Sequence, residues 1–208
     1  HDSFKIIFHN TRSLHKHIED LKANHLISQS QILAIAETRL AAHDSNEPYS
    51  MENYTMFRND QEQVQGTRPP HGLLIYTHND ICVSETDSFT SPEFEFVFQK
   101  VMFNNMSVQL VFLYLKPDCG VQLFNRCIQL IKDKLNTGMP FVLLGDTNLN
   151  TKNPSNASKI DHIENSLHCR QMIREPTTDF GTILDHVYSN LNLSVGTIDC
   201  YWSDHKLI

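Results

Sequence analysis

The chain lacks any apolar run of about eighteen residues, so no stretch of it is long enough to span a bilayer as a helix. It opens without the basic-then-apolar pattern of a secretory signal. It has no CxxC pair: Cys82, Cys119, Cys127, Cys169 and Cys200 are odd in number and widely spaced. Neither a zinc site nor a disulfide framework is expected, and a reducing, nuclear environment fits. Repeats and low-complexity tracts are also missing. The four N-x-S/T sequons, at Asn53, Asn105, Asn156 and Asn192, carry little weight without a signal segment.

Basic charge is lacking too. The 17 Lys and Arg are outnumbered by 24 Asp and Glu, a net charge of −7. A broad phosphate-binding face would need the opposite balance. An acidic total is still compatible with a nucleic-acid substrate if carboxylates gather around a divalent cation, and weak, salt-sensitive binding is then expected.

What remains is 208 residues, 40% of them hydrophobic, enough to build one large core. The start at His1, close to a strand, and the end at Lys206-Leu207-Ile208, inside an apolar stretch, lead us to expect a single domain, 1–208, cut from a longer protein with its final strand truncated.

Strand and helix patterns alternate along the chain. Strands are expected at Phe4–His9, Ile32–Ala36, Val108–Leu115 and Phe141–Leu144, and near 183–188 and 194–201. Leu73–Thr77 and Ile81–Ser84 read as a pair of strands around His78-Asn79-Asp80, and residues 41–70 mostly as loop. Phe94, Phe96 and Phe98 alternate with Glu95 and Val97 as in a half-buried strand. Helical spacing places a helix over about 14–27, with Leu14, Ile18, Leu21 and His25 on one face and Ser13 as its cap. A second runs from Val121 to Leu135 and is closed by Gly138 and Pro140; a short third lies near 158–167. Many strands with few helices suggest packed sheets flanked by helices.

Five of these apolar runs finish on polar groups of one kind: His9-Asn10, Glu37, Asp146-Thr147-Asn148, Asp185-His186 and Ser203-Asp204-His205. In LLGDTNLN, residues 143–150, the chain is expected to turn at Gly145 and present Asp146 and Asn148. Each end alone has an ordinary explanation as a cap, a turn or a satisfied buried polar group. Together they would have to choose acid, amide and imidazole independently, each time after an apolar run. Such groups on neighbouring strand ends can meet at one rim of a sheet core. They suit phosphoester hydrolysis with a hard divalent ion: carboxylates to hold it, a separate carboxylate to activate water, and a histidine fixed by an aspartate to donate to phosphoryl oxygens.

The ordered segments IIFHNTRSL (6–14), ILAIAETRL (32–40), HGLLIYTHN (71–79), VFLYLKP (111–117), VLLGDTNLN (142–150), ILDHVYSN (183–190) and WSDHKLI (202–208) resemble the endonuclease/exonuclease/phosphatase superfamily, which includes pancreatic deoxyribonuclease and the apurinic/apyrimidinic endonucleases. NTRSL, ETRL and RPPHGLLIY are most similar to the endonuclease domains of mobile elements, of Helitron or non-LTR retrotransposon type. The resemblance implies two packed mixed β-sheets flanked by helices, an α/β/β/α sandwich, with the site at one end. It implies a Mg2+-dependent DNA endonuclease, with Mn2+ able to substitute, leaving a 3′-hydroxyl and a 5′-phosphate. DNA and the remaining domains of the parent protein are the implied partners, with no membrane.

By the same resemblance Glu37, Asn10 and Asp204 belong to the metal region, and Tyr114 contacts the scissile phosphate. Asp146 positions or activates water with Asn148 beside it, and Asp185 orients His205. Arg12 and Arg39 could reach phosphates. Arg12 stands where many relatives carry an acid or amide, and Thr147 replaces the usual aromatic, which is expected to loosen local packing. Tyr114 is followed by Leu-Lys-Pro in place of a proline-rich turn. Inositol phosphatases, sphingomyelinases and poly(A) nucleases share the scaffold. The stretch before Asp185 lacks the tryptophan and arginine of the inositol phosphatases, so DNA is preferred. A binding module that has lost catalysis is the alternative, although all six acid, amide and histidine groups of the motifs are present.

Overall fold

The computed structural model describes residues 3–63 and 66–208, so Val64 and Gln65, inside the expected loop, lie outside the described residues. Two mixed sheets stack face to face. The first has four strands, β1 (Ile6–Asn10), β2 (Ile32–Ala36), β3 (Tyr54–Asn59) and β4 (Leu73–His78), in the order β1-β2-β4-β3. The second has six, β5 (Cys82–Thr90), β6 (Phe94–Phe103), β7 (Met106–Leu115), β8 (Phe141–Asp146), β9 (Arg170–Gln171) and β10 (Asp185–Ser189), in the order β5-β6-β7-β8-β10-β9. Helices α1 (Leu14–Ala23) and α2 (His25–Ser28) cover the outer face of the first sheet, and α3 (Val121–Lys134) and α4 (Ala157–Leu167) that of the second. The result is the α/β/β/α sandwich that the sequence resemblance implies.

Burial on both faces explains the continuous apolar strands. In β2, Ile32, Ala34 and Ala36 face the opposing sheet, while Leu33 and Ile35 lie under α1 and α2. In β6 Phe94, Phe96 and Phe98 pack under α3 and Val97 faces the other sheet, with Glu95 buried as well. That strand is therefore buried on both sides, not half-buried. Truncating a central side chain such as Leu33 to alanine would cost about 2–5 kcal/mol.

Several boundaries differ from the sequence reading. The first helix breaks at Asn24, whose side chain accepts from the backbone N–H groups of Leu26 and Ile27 and so ends α1 and caps α2. His25 is exposed, and Ile27 takes the buried position. Ser13 occupies the N-cap position of α1 without a side-chain hydrogen bond. The expected loop contains β3, whose half-exposed residues hide it from an apolar pattern. Strands β4 and β5 are not a hairpin but belong to different sheets. Residues 194–201 form no strand; Ile198 makes only an isolated bridge with Leu207.

Strand β8 continues through Gly145 to Asp146. Gly145 does not turn the chain. A Cβ there would lie 2.1 Å from the carbonyl oxygen of Leu113 on β7, so glycine permits two strands to approach. The turn comes at Asn148, at φ 51°, a left-handed conformation that asparagine tolerates better than most residues.

Candidate active site

Strand register builds half of the site. Tyr114 pairs with Asp146 across β7 and β8, and Asp146 with Asp185 across β8 and β10; on the other side Glu95 pairs with Tyr114. These four residues form one row across four strands at the rim of the six-stranded sheet. In the facing sheet Asn10 pairs with Ala36, and Glu37 follows directly. Glu37 leaves β2 with φ 51°, and Arg39 has φ 57° and Arg12 φ 62°. Three left-handed non-glycine residues at one rim store backbone strain there.

Asn10 ties the two sheets together. Its Nδ2 donates to Glu37 Oε1 at 2.9 Å and to Asp146 Oδ2 at 2.8 Å, while its Oδ1 accepts from the backbone N–H of Arg12. The Tyr114 hydroxyl donates to Glu37 Oε1 at 3.2 Å. Burial, with Glu37 and Asp146 close by, pushes its pKa far above the ordinary phenol range, so it stays protonated. The other oxygen of Asp146, Oδ1, accepts from the backbone N–H of Asn148. The Asn148 side chain donates to the Leu115 carbonyl at 2.7 Å, which among the described residues leaves its second Nδ2 hydrogen uncommitted.

Asp185 Oδ2 lies 2.8 Å from His205 Nδ1, and His205 Nε2 lies 3.9 Å from Asp146 Oδ2. Burial opposes a charge on His205, but the hydrogen bond and charge of Asp185, with Asp146 beyond, outweigh it and raise the imidazole to about 9. At neutral pH the ring is an imidazolium whose Nε2–H faces the site. Burial first, then the Asp185 charge, raises Asp146 to about 7, against the pull of His205 and Asn10. One oxygen of Asp185, Oδ1, is buried without a hydrogen-bond partner among the described residues.

The outer ring is basic. Arg12 donates through Nε and Nη2 to both carboxylate oxygens of Asp204, at 2.9 and 2.8 Å, and its Nη1 stands 3.8 Å from Glu37 Oε1. Arg39 Nη2 lies 3.6 Å from Glu37 Oε2. Both arginine side chains are nearly half exposed, whereas Glu37, Asp146, Asp185 and His205 are buried. Sequence placed Asp204 in the metal region. In the structure both of its carboxylate oxygens accept from Arg12, whose Nη1 also stands near Glu37.

Asp146, Asp185 and His205 each present an atom within 4.8 Å of the others, close enough to share a metal ion. The short contact between His205 Nδ1 and Asp185 Oδ2 already suits a shared proton, so this trio reads better as a proton-holding group. Glu37 is the better fit for a hard cation. Its buried carboxylate lies beside Asn10, whose amide links it to Asp146, an oxygen-donor setting of the kind such an ion prefers.

Some participants gave no signal in sequence. Thr177 Oγ1 accepts from the backbone N–H groups of Leu184 and Asp185 and fixes the start of β10. Nothing in the sequence separates it from Thr178. Glu95, the last member of the row, accepts from the Gly72 N–H at 2.8 Å, and burial raises it to about 8. His71 lies against the Tyr114 ring at a centroid separation of 4.5 Å. Thr147 does not loosen its surroundings. It is buried, and its hydroxyl lies 3.0 Å from the Leu184 carbonyl and 3.2 Å from His186 Nδ1.

Solved structures share this architecture at low identity. The catalytic domain of human Nocturnin, with bound sulfate, superposes with a TM-score of 0.76 at 15% identity, covering 98% of this chain and 92% of that one. The endonuclease domain of TRAS1, a telomere-specific non-LTR retrotransposon, gives 0.71 at 16% over 99% and 96%. The AP endonuclease of Leishmania major gives 0.69 at 14% over 98% and 86%. No curated protein matches the chain in sequence. A family model described as the endonuclease/exonuclease/phosphatase family matches residues 7–205, and with it the row of carboxylates, the bridging amide and the aspartate-held histidine: the chain belongs to that family of phosphoesterases and nucleases, whose enzymes generally depend on a divalent metal.

Proposed function

We propose that this chain is a Mg2+-dependent endonuclease that hydrolyses a DNA phosphodiester to leave a 3′-hydroxyl and a 5′-phosphate, and that it serves a mobile element as one domain of a longer nuclear protein. Mn2+ substitutes for Mg2+ in this reading. The observation that carries it is the continuous bonded path from Glu37 through Asn10 to Asp146, with His205 3.9 Å further on and held by Asp185.

Glu37, beside Asn10, would hold the cation, whose contribution when bound is to neutralise phosphate charge. Asp146 accepts a proton from the attacking water or fixes its orientation. Its raised pKa brings it closer to the neutral range in which a general base works well. His205 donates from Nε2 to a phosphoryl oxygen as charge develops, and Asp185 holds the ring in place. The free hydrogen of Asn148 Nδ2 can serve the same charge. Tyr114 contacts the scissile phosphate from its place beside Glu37. Arg12 and Arg39 take flanking phosphates, and Asp204 positions Arg12.

Supercoiled plasmid nicking, with magnesium and with chelator, tests this reading. Wild type should nick only with the metal, and Asp146→Ala should fall by about a hundredfold or more. Equal rates in the two proteins would remove Asp146 from the chemistry. No nicking by wild type would favour a binding module, or a phosphoesterase acting on a different ester.

A further inference from the structure

The two most exposed large apolar side chains among the described residues are Tyr201 at 82% and Phe180 at 80%. Both sit on the segments that hold the Asp185–His205 pair. Residues 177–182 form a tight turn: the Thr177 N–H donates to Thr182 O at 2.9 Å, and the Gly181 N–H donates to Thr178 O at 3.0 Å. Phe180 stands at its tip, before Gly181 at φ 75°.

The turn is bolted to the site from two sides. On one, Thr177 Oγ1 receives the Asp185 N–H. On the other, Thr178 bridges His205, Asp179 N–H donates to Asp204 O at 2.9 Å, and Lys206 N–H donates to Thr177 O at 2.8 Å. Phe180 is only two residues, about 7 Å of extended chain, beyond the residue paired with His205. Tyr201 is fixed as well, by its hydroxyl donating to Asp20 Oδ1 and by an edge-on contact with Trp202. Exposing two large rings has a solvation cost, and here neither ring is a loose end: each is carried on backbone that also positions a site residue. The Phe180 turn is bonded to the backbone of Asp204, whose carboxylate holds the half-exposed Arg12. Exposed aromatic faces on the same framework as a phosphate-seeking cation match the way unpaired bases are held, by stacking, next to a contacted backbone.

We propose that Phe180, with Tyr201 in support, is a base-stacking platform, and that the substrate strand is unpaired next to the scissile phosphate. Rings of paired bases in a duplex are covered by their neighbours and offer no free face. This selectivity deepens the proposed nuclease reading and rests on it for the identity of the strand as DNA.

The test is binding in chelator, so that it does not require cleavage. Fluorescently labelled single-stranded and duplex oligonucleotides of one sequence are titrated with wild type, Phe180→Ala and Phe180→Trp. Wild type should prefer the single strand, and Phe180→Ala should lose on the order of tenfold in affinity for it while changing duplex affinity much less. Phe180→Trp should retain the preference, and its exposed indole should be quenched by the single strand. The natural Trp202 is only 9% exposed and gives a separable background. Equal affinity for the two forms in wild type, no binding at all, or a preference that survives Phe180→Ala would overturn the proposal. Plasmid nicking by wild type is scored separately, so loss of the stacking idea and loss of the nuclease reading are distinct results.

Discussion

Asp146→Asn should stabilise the metal-free protein at alkaline pH while removing its activity. Asp146 is buried with Asp185 beside it, and its pKa rises from 3.8 to about 7. The folded state thus binds this proton more tightly than the unfolded chain does. The stability so gained is complete below pH 3.8 and is lost as pH rises through about 7. Each unit of that interval is about 1.4 kcal/mol, so an ionised Asp146 costs the fold about 4 kcal/mol above pH 8. Asparagine removes the charge but sets an NH2 group against one of two donors, the Asn10 amide or the Asn148 N–H, a loss of about 1–3 kcal/mol. His205 also loses a favourable charge, which trims the gain further. A net gain of about 1–2 kcal/mol should remain at pH 8.5, or about 2–8 °C in melting temperature for a chain of this size. At pH 5 the wild-type carboxyl is protonated, so the gain should vanish or reverse. Thermal unfolding of both proteins in chelator at the two pH values reads this directly. A variant no more stable than wild type at pH 8.5, or equally stabilised at pH 5, would refute the view that Asp146 is held as a strained buried charge.

Two further substitutions separate framework from site. Gly145→Ala places a Cβ against the Leu113 carbonyl and should destabilise by about 3 kcal/mol or more, seen as a large fall in the urea midpoint; an unchanged midpoint would mean that β7 and β8 do not approach so closely. Arg12→Ala should raise KM for plasmid more than it lowers kcat, and should flatten the salt dependence of binding by about one phosphate contact; an unchanged slope would leave Arg12 as a partner of Asp204 alone.

Much of the framework was legible because burial on two faces leaves an unbroken apolar signature. Ile32–Ala36 reads from sequence with the bounds it has in the structure. Edge and surface elements were not legible. Tyr54–Asn59 pairs only with β4 and mixes polar with apolar residues, whereas 194–201 alternates like a strand but makes a single isolated bridge. At the site, residue types at strand ends pointed to Asn10, Glu37, Asp146, Asp185 and His205, which the fold brings together. Their connections were hidden. The Asn10 bridge between sheets depends on register across 136 residues of chain, and the left-handed turn at Glu37 follows from packing, not from a local preference of glutamate. The Asp204 contact was hidden for the same reason: its motif neighbour His205 points inward, while Asp204 itself meets Arg12 from the other end of the chain.

The central claim is that Glu37 anchors a divalent ion beside Asn10 and Asp146, with the His205–Asp185 pair free to manage a proton. Anomalous scattering from crystals of the protein soaked with Mn2+ addresses it most directly. The account predicts a peak within about 2.5 Å of a Glu37 carboxylate oxygen. Manganese seated between Asp185 and His205, or no peak at Glu37, would contradict it.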